Sequence, residues 1–173
     1  MFTVFIKDVK AQKLEKINIL TVLKALLFNQ AVQLLVLYRL SRRVRSIWFF
    51  GPTLSSSLSY IIQVLTSCHI NPGSIIMPGV YFPHPTGIVI GEGVVIEGKA
   101  TIYQNVTVGQ RNSYDKRYPV ICTGAVIYTG AVVLGEITIA KNAIIGANSV
   151  VNKSVCAGRI VGGIPAVDLS QYE

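Results

Sequence analysis

Aliphatic residues recur every six positions through the second half of the chain. They stand at Ile70 and Ile76, with Phe82 in the next slot, and after a shift of two they resume at Ile90, Ile96, Ile102 and Val108. A longer interruption follows, and the period returns at Ile121, Ile127, Val133, Ile139, Ile145 and Val151. A small or turn-forming residue often stands three places on: Gly73, Gly79, Gly93, Gly124, Gly130, Asn142 and Asn148. Ala or Val often follows it, as in Gly124-Ala125 and Gly130-Ala131. Repetition at this period predicts a mainly β chain wound as a parallel β-helix. Each unit forms a short strand and a turn, three units close a triangular coil, and the aliphatic residue points inward onto the coil below. Gly and Asn are the residues that reach the positive φ values such corners need.

The first part of the chain follows a different period. Leu20, Leu23, Leu27, Leu34 and Leu37 recur at helical spacing, and Ile17 to Arg45 contains neither Pro nor Gly, which predicts a helix. Gly51-Pro52 breaks the chain, and a second helix is expected from about Leu54 to Thr66. The predicted organisation is a helical N-terminal segment over 1–68 and a β-helix over 69–173. Charge divides the chain at the same place. Residues 1–66 hold nine Lys and Arg against two acids, whereas residues 67–173 hold seven bases against six acids.

Ser46 to Cys68 carries no formal charge and is long enough to span a bilayer, but Gly51, Pro52, several serines and Gln63 interrupt it. The expectation is that these helices pack on the β-helix and on neighbouring copies. The alternative is an in-plane membrane contact, with Arg42, Arg43 and Arg45 near anionic headgroups. No apolar run with a small-residue cleavage site stands at the start, so a cytoplasmic protein, peripheral at most to the inner membrane face, is expected. Cys68, Cys122 and Cys156 are odd in number and widely spaced, which favours reduced thiols. Charged residues make up only 14% of the chain, which suits a protein that buries surface against copies of itself.

Loops that leave a rigid repeat are where function usually sits. The first interruption, Tyr81-Phe82-Pro83-His84-Pro85-Thr86-Gly87, holds one of two histidines in the chain. The second, Gln110 to Val120, holds Arg111, Lys116 and Arg117 in a nearly neutral region. A histidine titrating near neutrality suits general-base work, and bases suit phosphate.

The run His84-Pro85-Thr86-Gly87-Ile88-Val89-Ile90-Gly91-Glu92 resembles the active-site segment of serine acetyltransferases. The resemblance continues through Ala100 to Gly109, Lys116-Arg117-Tyr118-Pro119 and Gly162-Gly163-Ile164-Pro165-Ala166, and includes Tyr38-Arg39 and Ile70-Asn71-Pro72. It covers about residues 35–167 and extends equally to acetyltransferases of capsule and exopolysaccharide gene clusters. It implies a left-handed parallel β-helix, a homotrimer, and an acetyl-CoA site between adjacent subunits without a metal. It implies His84 as the base that deprotonates an acceptor hydroxyl, with a backbone N–H as oxyanion donor. By motif position Gln110, Arg111, Thr129 and Ala147 line the acetyl-CoA groove, and Lys153 or Lys141 meets phosphate. Arg117 and Tyr118 fall at acceptor-binding positions.

Three departures bear on the acceptor. The family's orienting aspartate, fifteen positions before the base, is His69 here. The aspartate immediately before the base is Pro83, and the substrate-binding histidine of the second loop is Tyr118. His69 is a candidate to orient His84 as a neutral hydrogen-bond acceptor, with a backbone carbonyl as the competing group. Tyr103, Tyr114 and Tyr118 offer faces for stacking on a sugar. The expectation is therefore a sugar hydroxyl in surface-polysaccharide synthesis, with L-serine as the alternative acceptor. Two other classes share the scaffold. A zinc hydratase needs three histidine ligands where this chain has His69 and His84 alone. A non-catalytic trimeric spacer would show an uninterrupted repeat.

Overall fold

The computed structural model describes residues 2–13, 18–112, 114 and 116–170. Four helices, α1 (Phe2–Ala11), α2 (Ile19–Phe28), α3 (Gln30–Val44) and α4 (Gly51–Thr66), precede fourteen short strands. The strands are β1 (His69–Ile70), β2 (Ile75–Ile76), β3 (Val89–Ile90), β4 (Val95–Ile96), β5 (Thr101–Ile102), β6 (Thr107–Gly109) and β7 (Val120–Ile121). They continue as β8 (Val126–Ile127), β9 (Val132–Leu134), β10 (Thr138–Ile139), β11 (Ile144–Ile145), β12 (Val150–Val151), β13 (Ile160–Gly162) and β14 (Val167–Asp168).

The strands stack into three flat faces of a prism. Face A runs β1-β3-β6-β9-β12, face B runs β2-β4-β7-β10, and face C runs β5-β8-β11-β13-β14. All pairings are parallel except β13 with β14. Each unit sends two residues inward rather than one. Ala125 and Ile127, Ala131 and Val133, and Ala143 and Ile145 are all fully buried. The Ala that follows each corner in the sequence is thus the second core position.

The expected corner chemistry holds in part. Gly79, Gly124, Gly130, Asn142 and Asn148 all have positive φ. Gly73 and Gly93 do not, and their role is space. A Cβ on Gly93 would lie 2.2 Å from the Tyr118 ring, and one on Gly73 would lie 2.5 Å from the Glu92 side chain.

The helical segment differs from its expected outline in three ways. The single helix expected over 17–45 is two helices, α2 and α3, bent by 85° at Asn29. Asn29 breaks the run because its extended backbone cannot continue α2, while its side chain accepts the N–H of Val32 and caps α3. The expected start at Ile17 lies outside the described residues. The second helix begins at Gly51, earlier than Leu54, because Pro at the first turn starts a helix as readily as it ends one. Finally, α1 was not anticipated.

Helix α3 is fastened to the first coil by the Tyr38-Arg39 pair. The fully buried Tyr38 hydroxyl donates to the carbonyl of Ser74 at 2.7 Å and accepts the N–H of Ile76 at 3.1 Å. The Arg39 guanidinium bonds the buried Asp8 carboxylate of α1 at 3.0 Å and the carbonyl of Ile76. Two of the arginines that the alternative membrane contact would set near headgroups are bonded to the β-helix instead. Arg42 donates to the carbonyl of Ser74, and Arg45 pairs with Glu92 at 2.8 Å. No single described helix is long and apolar enough to cross a membrane.

Candidate functional site

His84 stands on the edge where face C meets face A. Tyr81 pairs with Thr101 as the first rung of face C, and the chain then crosses to β3 of face A. Two extra residues relative to the six-residue period, between Phe82 and Ile90, push the crossing outward and leave the His84 side chain exposed. The same edge continues down the prism through backbone hydrogen bonds from corner to corner. Asn105 donates to the carbonyl of Thr86, Gly130 to that of Gln104, and Asn148 to that of Thr129. His84, Gln104, Thr129 and Ala147 therefore stand on successive corners of one edge.

Both ends of the His84 loop are fixed. Phe82 is buried at its start, and the N–H of Thr86 donates to the carbonyl of His84 at 2.8 Å. At its end Gly87 adopts φ +65° above Asn105, whose side-chain oxygen lies 2.2 Å from where a Cβ on Gly87 would be. Gly124 over Asn142 and Gly130 over Asn148 repeat this pairing, so the chain leaves the loop already in register.

A cavity of about 380 Å³ opens beside the imidazole. The His84 loop forms one wall, and Gln12, Phe28, Asn29 and Gln30 of the helical segment form the other. Its polar groups are amides, the hydroxyls of Tyr81 and Thr86 and the imidazole, with no charged side chain in the lining. Among the described residues nothing hydrogen-bonds the His84 ring. His69 extends outward from β1, in register with Val89, and no hydrogen bond joins the two histidines.

The remaining expected site residues divide between edges. Thr129 and Ala147 share the edge of His84. Gln110, Arg111, Arg117, Tyr118 and Lys153 follow strands of face A on its other side, at the edge with face B. The two edges are separated by the width of face A, whose longest strands of three residues span about 10 Å. Lys141 lies on the third edge, between faces B and C. One copy of the chain therefore does not bring Arg117 or Tyr118 to His84. Arg117 pairs with Glu136 at 2.8 Å, and the Tyr118 ring lies over Gly91 and Gly93. Tyr103 stacks on Tyr128 with ring centres 5.0 Å apart, so one of its faces is already covered. Tyr114 is almost fully exposed. Ser113 and Asp115 of this loop lie outside the described residues.

Two residues on or beside the His84 edge were not among the expected site residues. Gln12 reaches the loop from α1, across seventy residues of sequence, and only the fold reveals it. Gln104 has a side-chain oxygen that is buried without a hydrogen-bond partner among the described residues. It stands one coil below His84, and the six-residue register alone could have placed it there. Cys68 begins the first coil, and burial pushes its thiol above the ordinary value, which keeps it protonated and inert.

Known proteins resemble this chain in sequence and fold. A serine acetyltransferase of Buchnera aphidicola subsp. Schizaphis graminum is 35% identical over 163 residues, which is 93% of this chain and 62% of that protein. A serine acetyltransferase solved in complex with CoA superimposes with a TM-score of 0.83 at 32% identity, covering 96% of this chain and 69% of the other. The chain belongs to the serine acetyltransferase-like hexapeptide-repeat family. Its prism is accordingly the left-handed parallel β-helix. The soybean serine acetyltransferase complexed with serine has a TM-score of 0.85 at 27% identity, covering 96% of this chain and 68% of the other. No family model matches the chain. The chain spans about three fifths of the length of the curated relatives it matches, at 62% and 61% for two of them.

Within this family the three departures now have structural meaning. Pro83 follows the buried Phe82 and precedes the base, where it stiffens the loop. Tyr118 in place of histidine gives a ring that packs on the glycines of its own edge. With His69 in place of aspartate, no carboxylate among the described residues pairs with the His84 ring, and the contacts that hold its loop are those of the backbone.

Proposed function

We propose that this chain is an acetyl-CoA-dependent O-acetyltransferase, with His84 as general base and L-serine as acceptor. The observation that carries the reading is the exposed imidazole on one edge above Thr129 and Ala147, beside a cavity floored by its own loop. In this reading the acceptor hydroxyl oxygen attacks the thioester carbonyl carbon as His84 takes the hydroxyl proton. A backbone N–H stabilises the tetrahedral oxyanion. Collapse breaks the carbon–sulfur bond, and the leaving thiolate recovers the proton from the imidazolium, giving an O-acetyl ester and free CoA thiol.

The serine acetyltransferase relatives support L-serine over the sugar hydroxyl expected from the sequence. The uncharged cavity favours a second reading, a neutral hydroxyl compound such as a sugar. An amino-acid zwitterion brings two full charges, and unpaired charges are costly to desolvate. Supplying acetyl-CoA with L-serine or with neutral sugars and following thiol release separates the two. Turnover with L-serine at a biosynthetic rate supports the first reading, and turnover with sugars alone overturns it.

We further propose that the working unit is a homotrimer with its sites between copies. The separation of His84 from Arg117 across face A supports this, because a neighbouring copy can set one edge beside the other. Co-expressing His84→Ala with Arg117→Ala chains tests it. Activity recovered in the mixture but in neither variant alone is the expected result, and no recovery argues for a site within one copy. We also propose a cytoplasmic protein whose exposed turn Ile47–Phe50 rests on the inner membrane face.

A further inference from the structure

The first rung of face C has an open side. Tyr81 uses both backbone groups on the next coil: its N–H donates to the carbonyl of Ala100, and its carbonyl accepts the N–H of Ile102. In a strand the neighbouring groups point the other way, so the carbonyl of Val80 and the N–H of Phe82 face upward, where no earlier coil exists. Both groups belong to buried residues, and unpaired they would be costly.

Gln12 closes this edge. Its side-chain amide donates to the carbonyl of Val80 at 2.8 Å and accepts the N–H of Phe82 at 3.1 Å. A primary amide carries one acceptor and two donors, so a single side chain does here what a further strand would do. Its second N–H donates to the carbonyl of Asp8 at 3.2 Å, which fixes the amide from behind. Asp8 of α1 and Lys13 just past its end grip the same rung. Asp8 accepts the N–H of Gly79 at 3.1 Å, and the Lys13 ammonium lies 4.6 Å from the centre of the Tyr81 ring. The rung from Gly79 to Phe82 is thereby held residue by residue, and His84 follows Phe82 after a single proline.

We propose that Gln12 is a positioning residue for His84. It sets the height of the loop on the edge, and so the place of the imidazole, in a site where no described side chain bonds the ring. The proposal rests on His84 being the general base. Gln12 acts through the backbone of Val80 and Phe82. Removing its amide should cost turnover and leave acetyl-CoA binding, which is assigned to Thr129 and Ala147 lower on the edge, unaffected.

The test compares full-length Gln12→Leu, Gln12→Glu and His84→Ala with the unaltered chain. One readout is kinetic, using acetyl-CoA and whichever of L-serine or a neutral sugar supports thiol release. The other is the imidazole NMR spectrum, in which the two histidines are assigned with His69→Asn. Gln12→Leu should lower kcat by about 10- to 100-fold and leave KM for acetyl-CoA within about twofold. Its His84 signal should split or broaden while that of His69 is unchanged. Gln12→Glu keeps the acceptor for Phe82, loses the donors to Val80 and Asp8 and sets a carboxylate against both carbonyls. It should also lower kcat, and it serves as the test if the leucine variant does not fold. Wild-type kcat and an unaltered His84 signal in a folded Gln12 variant, with His84→Ala inactive, would overturn the positioning role alone. Full activity in His84→Ala would overturn the base assignment on which that role rests.

Discussion

Ile127 and Leu20 are both aliphatic residues in regular elements, and their surroundings are opposite. Ile127 lies at 0% exposure in the middle of face C, with Ile102 above it and Ile145 below. Leu20 is 62% exposed on α2, next to Ile19, Leu23, Leu27 and Phe28, all of them open. The β-helix seals itself coil by coil, since each coil is the lid of the last. The helices have no such repeat to close them. Their buried stripes are spent on the first coil, and what remains faces outward. The candidate site sits where the two regimes meet, on a coil that has a neighbour below and only the helical segment above.

The largest expected effect separates function from fold. His84→Ala should lower turnover by about 10²- to 10⁴-fold, the usual worth of a general base. The change should leave the thermal midpoint close to that of the unaltered chain, because the exposed ring holds nothing together. A large fall in stability would mean that the histidine is a structural cap.

Ile127→Ala should cost about 2–5 kcal/mol in denaturant unfolding, because the cavity it leaves is walled by other coils and cannot collapse. Leu20→Ala should change stability by no more than about 0.5 kcal/mol, measured on the same chain under conditions where it is monomeric. Near-equal costs would erase the contrast between the regions. A cost for Leu20→Ala that appears only in the assembled protein would show that another copy completes the helical face.

Gly130→Ala should cost less than Ile127→Ala, at about 1–3 kcal/mol by the same measurement. The glycine holds φ +70°, and the new methyl would lie 2.1 Å from the Asn148 side-chain oxygen. Gly93→Ala offers an internal control, since its φ is not positive and its obstacle is the Tyr118 ring alone. A double change of Gly93→Ala with Tyr118→Ala should recover most of the loss, whereas no change at Asn148 should fully rescue Gly130→Ala.

The contrast also explains what could be read from the sequence. A repeat writes the same constraint many times, so Ile121, Ile127, Val133 and Ile139 support one another and the coil is legible from spacing alone. The breaks at His84 and Gln110 were legible for the same reason. The helical segment writes each constraint once. Asn29 looks like any polar residue in a helical run until its extended backbone and its cap to Val32 are known. Gln12 is a single amide in a charged stretch, and its partners lie some seventy residues away. The division of the groove residues between two edges also escaped the linear reading. Position along a period gives the corner, but the face to which each corner belongs follows only from counting coils through both insertions.

Trp48 gives the last and smallest prediction. It is 96% exposed in a turn with Ile47, Phe49 and Phe50, and it is the chain's single tryptophan, so its emission reports on that turn alone. Trp48→Ser should leave the thermal midpoint and turnover unchanged, because the ring lies in the open. Anionic vesicles should shift Trp48 emission to the blue, since indole rings settle at the interface and Lys7, Lys10 and Lys24 stand exposed on α1 and α2. The shift should weaken as salt screens those charges. A blue shift that follows protein concentration and ignores lipid would assign the turn to contact between copies, and the open half of the molecule would then be closed by the same device as the prism, another copy of itself.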